Sequence, residues 1–142
     1  MLQDTLRSLL ADTYIVYFKA HSYHWNVEGP DFAQYHAFLG EYYNDVYGSI
    51  DAIAELIRTL DVYAPVSFAS LLSQSTIDES NSIPEAKAML TQLLRDNDVL
   101  LARLVKSYDE AEQASEFGIS NFLQDRIQAH EKHSWMLRAI TK

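Results

Sequence analysis

Cysteine is absent from this chain of 142 residues, and glycine and proline are scarce, at four and three residues. Without cysteine there are no disulfides and no thiolate metal sites, which is typical of proteins from a reducing compartment. The scarcity of glycine and proline leaves room for long helices, because these two residues are the strongest helix breakers. The length is that of one domain, expected to span residues 1–142.

Long apolar runs and basic clusters are also missing. No stretch reaches the roughly 18 consecutive apolar residues that indicate a membrane-spanning helix, and no basic leader precedes an apolar run near the start. We therefore expect a cytoplasmic protein. The formal net charge is −9, from 20 acidic residues against 11 lysines and arginines. Such a surface repels phosphate backbones, so nucleic-acid binding is not expected, whereas acidic clusters attract cations.

Four long helices account for most of the sequence. Apolar residues recur at helical spacing over residues 3–26, and the alternation from 31 to about 60 is that of a bundle helix. A third helix is predicted to end near 111, and a fourth follows a turn at 116–120. The connection at 61–83 is so long that the second and third helices are predicted to run parallel. The expected fold class is therefore all-α, a ferritin-like four-helix bundle with one crossover.

Capping patterns indicate where helices begin. Asp31 with Gln34, and Ser82 with Glu85, have the spacing of capping boxes and predict the starts of the second and third long helices. Ser67 is a further candidate cap, and it predicts a short helix inside the crossover.

Two histidines and two carboxylates carry most of the functional information. His24 and His36 lie at equal distances on either side of a Gly-Pro break at residues 29–30, so a hairpin there brings the imidazoles face to face. Asp51 and Glu55 follow, one helical turn apart. Imidazole and carboxylate together form the ligand set of iron, zinc or manganese.

One chain cannot bring all four side chains to a single ion. At about 1.5 Å of rise per residue, Asp51 lies roughly 22 Å along the second helix from His36. The turn of about 100° per residue nevertheless places His36, Asp51 and Glu55 within about a third of the helix circumference. Antiparallel pairing of two copies about an axis near residue 45, where Gly48 would allow close approach, predicts two equivalent metal sites per dimer.

Other histidines are weaker candidates. His130 and His133 share a helix face without an evident third ligand, and a surface or interface role is expected for them. His21 lies one turn before His24 and is expected to support the site or line its entry. No Glu-x-x-His motif occurs in the chain, which excludes the class of ferritin-like proteins that holds two irons inside one bundle.

Aromatic residues accompany these histidines. Trp25 directly follows His24 and is expected to be a packed aromatic. Most of the nine tyrosines are expected to pack between helices, and three are candidates for neighbours of the site: Tyr23, Tyr43 and Tyr47.

The segment from His21 to Phe32, with His36 and the run from Asp51 to Glu55, resembles Dps proteins, the mini-ferritins. Residues 130–137 are similar to that family's last helix, so the resemblance covers nearly the whole chain. It implies a dodecameric hollow shell and a ferroxidase that oxidises Fe(II), preferably with hydrogen peroxide, and stores ferric oxide inside. It places the iron sites at two-fold interfaces, on His24, His36, Asp51 and Glu55.

The chain departs from the family pattern in two places. Gly40 stands one turn after the second histidine, where the family has a carboxylate, and Glu41 points about 100° away. A slow ferroxidase, a site for zinc or a single iron, and a shell that only binds metal or assembles all stay open. The Lys-rich arm that binds DNA in many relatives is missing. The family's acidic three-fold pores correspond to Glu112 and residues 116–121, with Asn121 where a carboxylate is common.

Overall fold

Five helices and no strand make up the protein. The computed structural model describes residues 1–142. Its helices are α1 (Leu2–Asn26), α2 (Phe32–Thr59), α3 (Phe68–Gln74), α4 (Ala86–Gln113) and α5 (Phe117–Ile140). The predicted all-α bundle, with a short helix inside its crossover, is confirmed. None of the helices has the length and apolar character needed to cross a membrane.

Two helical hairpins, α1–α2 and α4–α5, pack together through α1 and α4. Lys19 Nζ lies 2.8 Å from Asp96 Oδ2, and Arg103 Nε lies 3.6 Å from Asp12 Oδ2. Higher numbers on α1 therefore meet lower numbers on α4, so these two helices are antiparallel. Because α1 is also antiparallel to α2, helices α2 and α4 run parallel, as the long crossover predicts.

The core is one cluster of 23 buried hydrophobic residues, so a single interior extends through both hairpins. On α2 the predicted stripe is buried at five positions: Leu39, Tyr42, Val46, Ile53 and Ile57. Three aromatic residues on the long helices are exposed, namely Phe18, Phe32 and Trp135. Each long helix has only one face against the bundle, which leaves large apolar side chains on its outer face.

A buried carboxylate holds the crossover against α1. The Asp12 side chain is fully buried and accepts hydrogen bonds from Ser75 Oγ (2.9 Å), Thr76 N (2.6 Å) and Thr76 Oγ1 (2.8 Å). A buried charge is stable only when it is hydrogen-bonded or paired, and these bonds satisfy that requirement. They position the segment that follows α3.

Neither predicted capping box forms, although the predicted start of α2 at Asp31 is confirmed. Asp31 occupies the N-cap position of α2, but its backbone (φ −102°, ψ 22°) is not extended and its side chain makes no cap bond. The Phe32 N–H instead donates to the Gly29 carbonyl at 3.1 Å, within the turn. Helix α4 begins at Ala86, after the N-cap Glu85. Pro84 disfavours the helical conformation in Ile83, so a helix cannot begin directly after Ser82.

The short-helix prediction is confirmed, and one turn is shorter than predicted. Ser67 Oγ accepts a hydrogen bond from Ser70 N at 3.1 Å and caps α3. The connection between α4 and α5 occupies only residues 114–116 rather than 116–120. Ser115 adopts a φ of 58°, a left-handed conformation that reverses the chain in this short space.

Candidate metal centre

The α1–α2 hairpin brings His24 and His36 together. The centroids of the two imidazole rings are 3.8 Å apart, and the ring planes differ by 16°. Nδ1 of His24 lies 2.8 Å from the carbonyl oxygen of His36, and Nδ1 of His36 lies 2.8 Å from the carbonyl oxygen of His24. The predicted face-to-face arrangement is therefore confirmed.

These hydrogen bonds determine which nitrogen of each ring can bind a metal. A carbonyl oxygen only accepts, so both Nδ1 atoms carry a hydrogen and donate it, and the neutral rings keep their lone pairs at Nε2. Metal-binding histidines typically have their second nitrogen held in this way by a carbonyl or carboxylate. The pair thus presents two oriented ring nitrogens that a metal could use.

The ring of His24 lies against the space where a side chain at position 40 would begin. A Cβ atom built on Gly40 would be 3.1 Å from Cε1 and 3.4 Å from Nδ1 of His24. The first of these distances is closer than ordinary van der Waals contact, so a side chain would displace the imidazole by a few tenths of an ångström. The missing carboxylate at Gly40 is therefore linked to the packing of a candidate ligand.

Asp51 and Glu55 form a pair of exposed carboxyl groups one turn apart on α2. A hydrogen bond with Asp51 and the negative charge of Asp51 both raise the pKa of Glu55. When two carboxyl groups lie close together, sharing one proton is more favourable than carrying two negative charges side by side. A cation bound between them would remove that repulsion.

The histidine pair and the carboxyl pair do not meet within one chain. No group of three or more histidine, aspartate or glutamate side chains lies together in a geometry that could hold a metal ion. This agrees with the separation of roughly 22 Å that the helix rise requires between His36 and Asp51. A site built from all four residues needs a second copy, and that site stays a prediction.

Aromatic rings pack closely beside the histidine pair. The ring of Tyr43 stacks on His21 with centroids 3.8 Å apart and planes at 10°, and it lies 5.2 Å from the ring of His24. Tyr17 Oη is 2.9 Å from His21 Nδ1. Trp25 packs on His21 with ring centroids 4.2 Å apart, as expected for a packed aromatic, although its side chain is 58% exposed.

Of the three tyrosines predicted near the site, only Tyr43 contacts the histidines. Tyr47 packs on Tyr17 with ring centroids 4.8 Å apart, and Tyr23 is buried in the core. The sequence prediction missed Tyr17, although its spacing of four residues from His21 is a signal that both side chains share one helix face. Burial, followed by the charge of nearby His24, lowers the pKa of His21.

The expectation of a surface role for His130 is wrong. This residue is only 1% exposed, and its Nδ1 donates to Asn97 Oδ1 at 2.7 Å while its Nε2 accepts from Arg126 Nη2 at 3.1 Å. Both ring nitrogens are used, so neither can bind a metal. Burial and the adjacent Arg126 charge hold the pKa of His130 well below its usual value.

The neighbouring His133 is engaged in the same interior network. Its Nε2 lies 2.7 Å from Asp45 Oδ2, and the Asp45 carboxylate also accepts two hydrogen bonds from Arg126, at 3.1 and 2.9 Å. Burial alone would raise the pKa of Asp45, but the hydrogen bonds from His133 and Arg126 hold it well below its usual range. The Arg126 guanidinium thus provides the positive charge of this network.

The expected pore carboxylate is engaged within its own chain. Glu112 Oε1 accepts from Tyr108 Oη at 3.1 Å, and Glu112 Oε2 accepts from Ser120 Oγ at 3.0 Å. These bonds tie the end of α4 to the start of α5. A pore lined by several copies stays a prediction.

Comparisons with known proteins extend over nearly the whole chain. The matching family is described as a ferritin-like domain, and the match covers residues 3–142. A DNA protection during starvation protein from Brevibacillus brevis is 32% identical over 136 residues, which are 95% of this chain and 91% of the relative. An uncharacterized low temperature-induced protein from Nostoc sp. is 35% identical over 139 residues, covering 96% of this chain and 78% of the relative.

A solved structure shares the complete fold. The crystal structure of a Dps protein from Vibrio cholerae O1 superposes with a TM-score of 0.95 at 31% identity, covering 99% of this chain and 89% of the other. That protein is described as a member of a broad superfamily of ferritin-like diiron-carboxylate proteins.

Proposed function

The chain belongs to the Dps family of the ferritin-like superfamily, and we propose that it is an iron-storage mini-ferritin that oxidises Fe(II) at sites shared between two copies. In each site, His24 and His36 of one copy and Asp51 and Glu55 of the other would bind the iron. Hydrogen peroxide is the preferred oxidant in this proposal. Ferric oxide would then be stored inside a shell of twelve copies.

The observation that carries the proposal is the state of the histidine pair. His24 and His36 each commit Nδ1 to the other's backbone carbonyl, at 2.8 Å, and keep Nε2 for a ligand. Pre-orientation of this kind lowers the cost of metal binding, because the rings need not be ordered when the ion arrives. A purely structural histidine pair has no need to leave both Nε2 atoms free.

The carboxylates would favour the oxidised product. Anionic oxygen ligands stabilise Fe(III) more than Fe(II), since the ferric ion carries the higher charge. The hydrogen bond with Asp51 and the negative charge of Asp51 raise the pKa of Glu55. At low pH the two carboxyl groups therefore share a proton, and iron must displace that proton to bind. Iron binding is therefore expected to weaken as the pH falls.

Stopped-flow measurement of Fe(II) oxidation by hydrogen peroxide tests the proposal. The variant with His24→Ala and His36→Ala should assemble as the wild type does but should oxidise Fe(II) at the rate of buffer alone. Asp51→Asn with Glu55→Gln should have the same effect. The matched control, Asp109→Asn with Glu131→Gln, removes two exposed acidic charges elsewhere and should keep the wild-type rate. An unchanged rate in the histidine variant would refute the site.

A second candidate is a shell that binds metal with little catalysis. Gly40 favours it, since this residue supplies no carboxylate for a second ion and the four remaining ligands suffice for one. Zinc could occupy such a site as well as iron. Titration of the assembled protein with Fe(II) and with Zn²⁺, followed calorimetrically, gives the number of ions per subunit. The ferroxidase requires oxidation above the buffer rate, and the passive shell does not.

A further inference from the structure

We propose that Tyr17 is a redox-active tyrosine that supplies an electron to hydrogen peroxide when one iron occupies the proposed site, and that His21 takes its proton. The inference rests on the proposed ferroxidase function and adds a step to it. The juxtaposition that carries it is a continuous contact of rings from His24 through Tyr43 and His21 to Tyr17.

The electron count explains why such a donor is needed. Hydrogen peroxide takes up two electrons to give two molecules of water, and one Fe(II) supplies only one. With a carboxylate missing at Gly40, we expect a single iron in each site. Without a second donor, peroxide would take the one electron and break into hydroxide and a hydroxyl radical.

The complete step balances with tyrosine as the second donor. Fe(II) loses one electron and becomes Fe(III), and the Tyr17 phenol loses one electron and its O–H proton and becomes a tyrosyl radical. The phenolic proton passes to Nδ1 of His21. The O–O bond of peroxide breaks, and its oxygens take both electrons and two protons from solvent to form two waters.

The packing provides a path for the electron. From the candidate ligand His24, the ring of Tyr43 is 5.2 Å away, and Tyr43 stacks on His21 at 3.8 Å. Tyr17 lies 5.6 Å from His21 and 6.1 Å from Tyr43 between ring centroids. These separations lie within or just below the usual range for aromatic rings in contact, so no gap interrupts the path.

Hydrogen bonding distinguishes Tyr17 from the other tyrosines of this cluster. Oxidation of a phenol releases its proton, and Tyr17 Oη lies 2.9 Å from a ring nitrogen that can accept it. Tyr43 and Tyr47 donate no hydrogen bond to another residue of the chain, so only Tyr17 has a side-chain base in place to take its proton. Burial raises the pKa of Tyr17, which keeps the hydroxyl protonated until it is oxidised.

Rapid freeze-quench EPR of the assembled protein tests the inference. The wild type, loaded anaerobically with one Fe(II) per subunit and mixed with hydrogen peroxide, should give a tyrosyl signal, which ring-deuterated tyrosine should narrow. Tyr17→Phe should lower this signal several-fold and raise the yield of spin-trapped hydroxyl radical several-fold. The control Tyr63→Phe, at an exposed tyrosine outside the ring contact, should match the wild type.

A second variant tests the proton acceptor. His21→Asn keeps a polar atom near the position of Nδ1 but cannot take up a proton, so the tyrosyl signal should fall although Tyr17 is present. Fe(II) oxidation should stay above the buffer rate in both variants, since the proposed ligands are intact.

Each outcome bears on a different claim. Equal radical and hydroxyl yields in Tyr17→Phe and wild type would overturn the role of Tyr17 while leaving the ferroxidase in place. A wild type that oxidises iron without any tyrosyl signal would do the same. Oxidation at the buffer rate in the wild type would refute the ferroxidase itself, and the inference with it.

Discussion

Two pairs of histidines in this protein differ in the groups that their ring nitrogens contact. At the α1–α2 hairpin, His24 and His36 each use one ring nitrogen for a backbone carbonyl and leave the other free. Inside the bundle, His130 uses both nitrogens, and His133 is bound to Asp45. All four residues are histidines, so the two pairs are distinguished only by the groups that their ring nitrogens contact.

The difference concerns what a metal ion would have to displace. At the hairpin, nothing in the chain competes for Nε2. In the interior, Arg126 lies between Asp45 and His130 and already satisfies both with charged hydrogen bonds. A cation entering there would have to expel a guanidinium, which would leave a charge unpaired at high cost.

The largest expected effect is the removal of His130. His130→Ala removes a buried side chain and leaves polar groups of Asn97 and Arg126 without partners, which should lower the free energy of unfolding by about 3 kcal/mol. The double alanine variant of His24 and His36 loses two partly exposed hydrogen bonds and should lose only about 1 to 2 kcal/mol.

Urea unfolding at a fixed protein concentration measures both losses. Iron oxidation should respond in the opposite order, abolished in the hairpin variant and retained in folded His130→Ala. If the double alanine variant of His24 and His36 proved less stable than His130→Ala, the contrast drawn between the two histidine pairs would be wrong.

A pH series sharpens the comparison. Because the pKa of folded His130 is well below its usual value, the unfolded chain binds a proton below about pH 6.5 that the folded chain does not. The contribution of neutral His130 to the free energy of unfolding is therefore complete above about pH 6.5. It is lost as the pH falls toward the pKa of His130 in the folded protein. The expected slope is about 1.4 kcal/mol per pH unit below pH 6.5.

Replacement of the titrating group supplies the control. In His130→Asn the slope between pH 7 and pH 5 should be shallower, although the variant is less stable at every pH. Equal slopes in the two proteins, measured by urea unfolding, would assign the pH dependence to another group.

The smallest expected effect on stability is at the hairpin itself. Gly40→Ala gains helix propensity of about 1 kcal/mol but places a Cβ 3.1 Å from His24 Cε1, so its net change in stability should be within about 1 kcal/mol of zero. The shifted ring should nevertheless weaken Zn²⁺ binding several-fold, as measured by calorimetric titration.

Gly118→Ala is the matched control, because nothing lies within 4 Å of the added Cβ. It should leave Zn²⁺ affinity unchanged. Equal affinity in Gly40→Ala and wild type would show that the position of the His24 ring does not limit metal binding.

Much of the fold was predictable because the information is local. The apolar stripe of α2 from Leu39 to Ile57, the cap at Ser67 and the break at residues 29–30 each act within a few residues of chain. Where a local pattern competed with chain geometry, prediction failed. The pattern at Asp31 marks the start of α2 correctly, but its side chain makes no cap bond, and α4 begins three residues after the start that the pattern at Ser82 predicts.

Of the candidate site, the sequence predicted the histidine pair but not the surroundings of that pair. Position along the helices was enough to pair His24 with His36 and to separate them from Asp51. The sequence could not indicate that His130 is buried, because Asn97, its partner, lies 33 residues away on another helix. Nor could it show that the His24 ring packs against Gly40.

By itself, the sequence determined where the long helices lie, that α2 and α4 run parallel, and that two imidazoles meet across a hairpin. These follow from helical periodicity and from the lengths of the connections. Only the tertiary structure decided which histidines keep a free nitrogen. Packing determines which donors and acceptors lie within hydrogen-bonding distance of each ring nitrogen. Packing also set Tyr17 and His21 in contact with Tyr43, a neighbour that comes from a different helix.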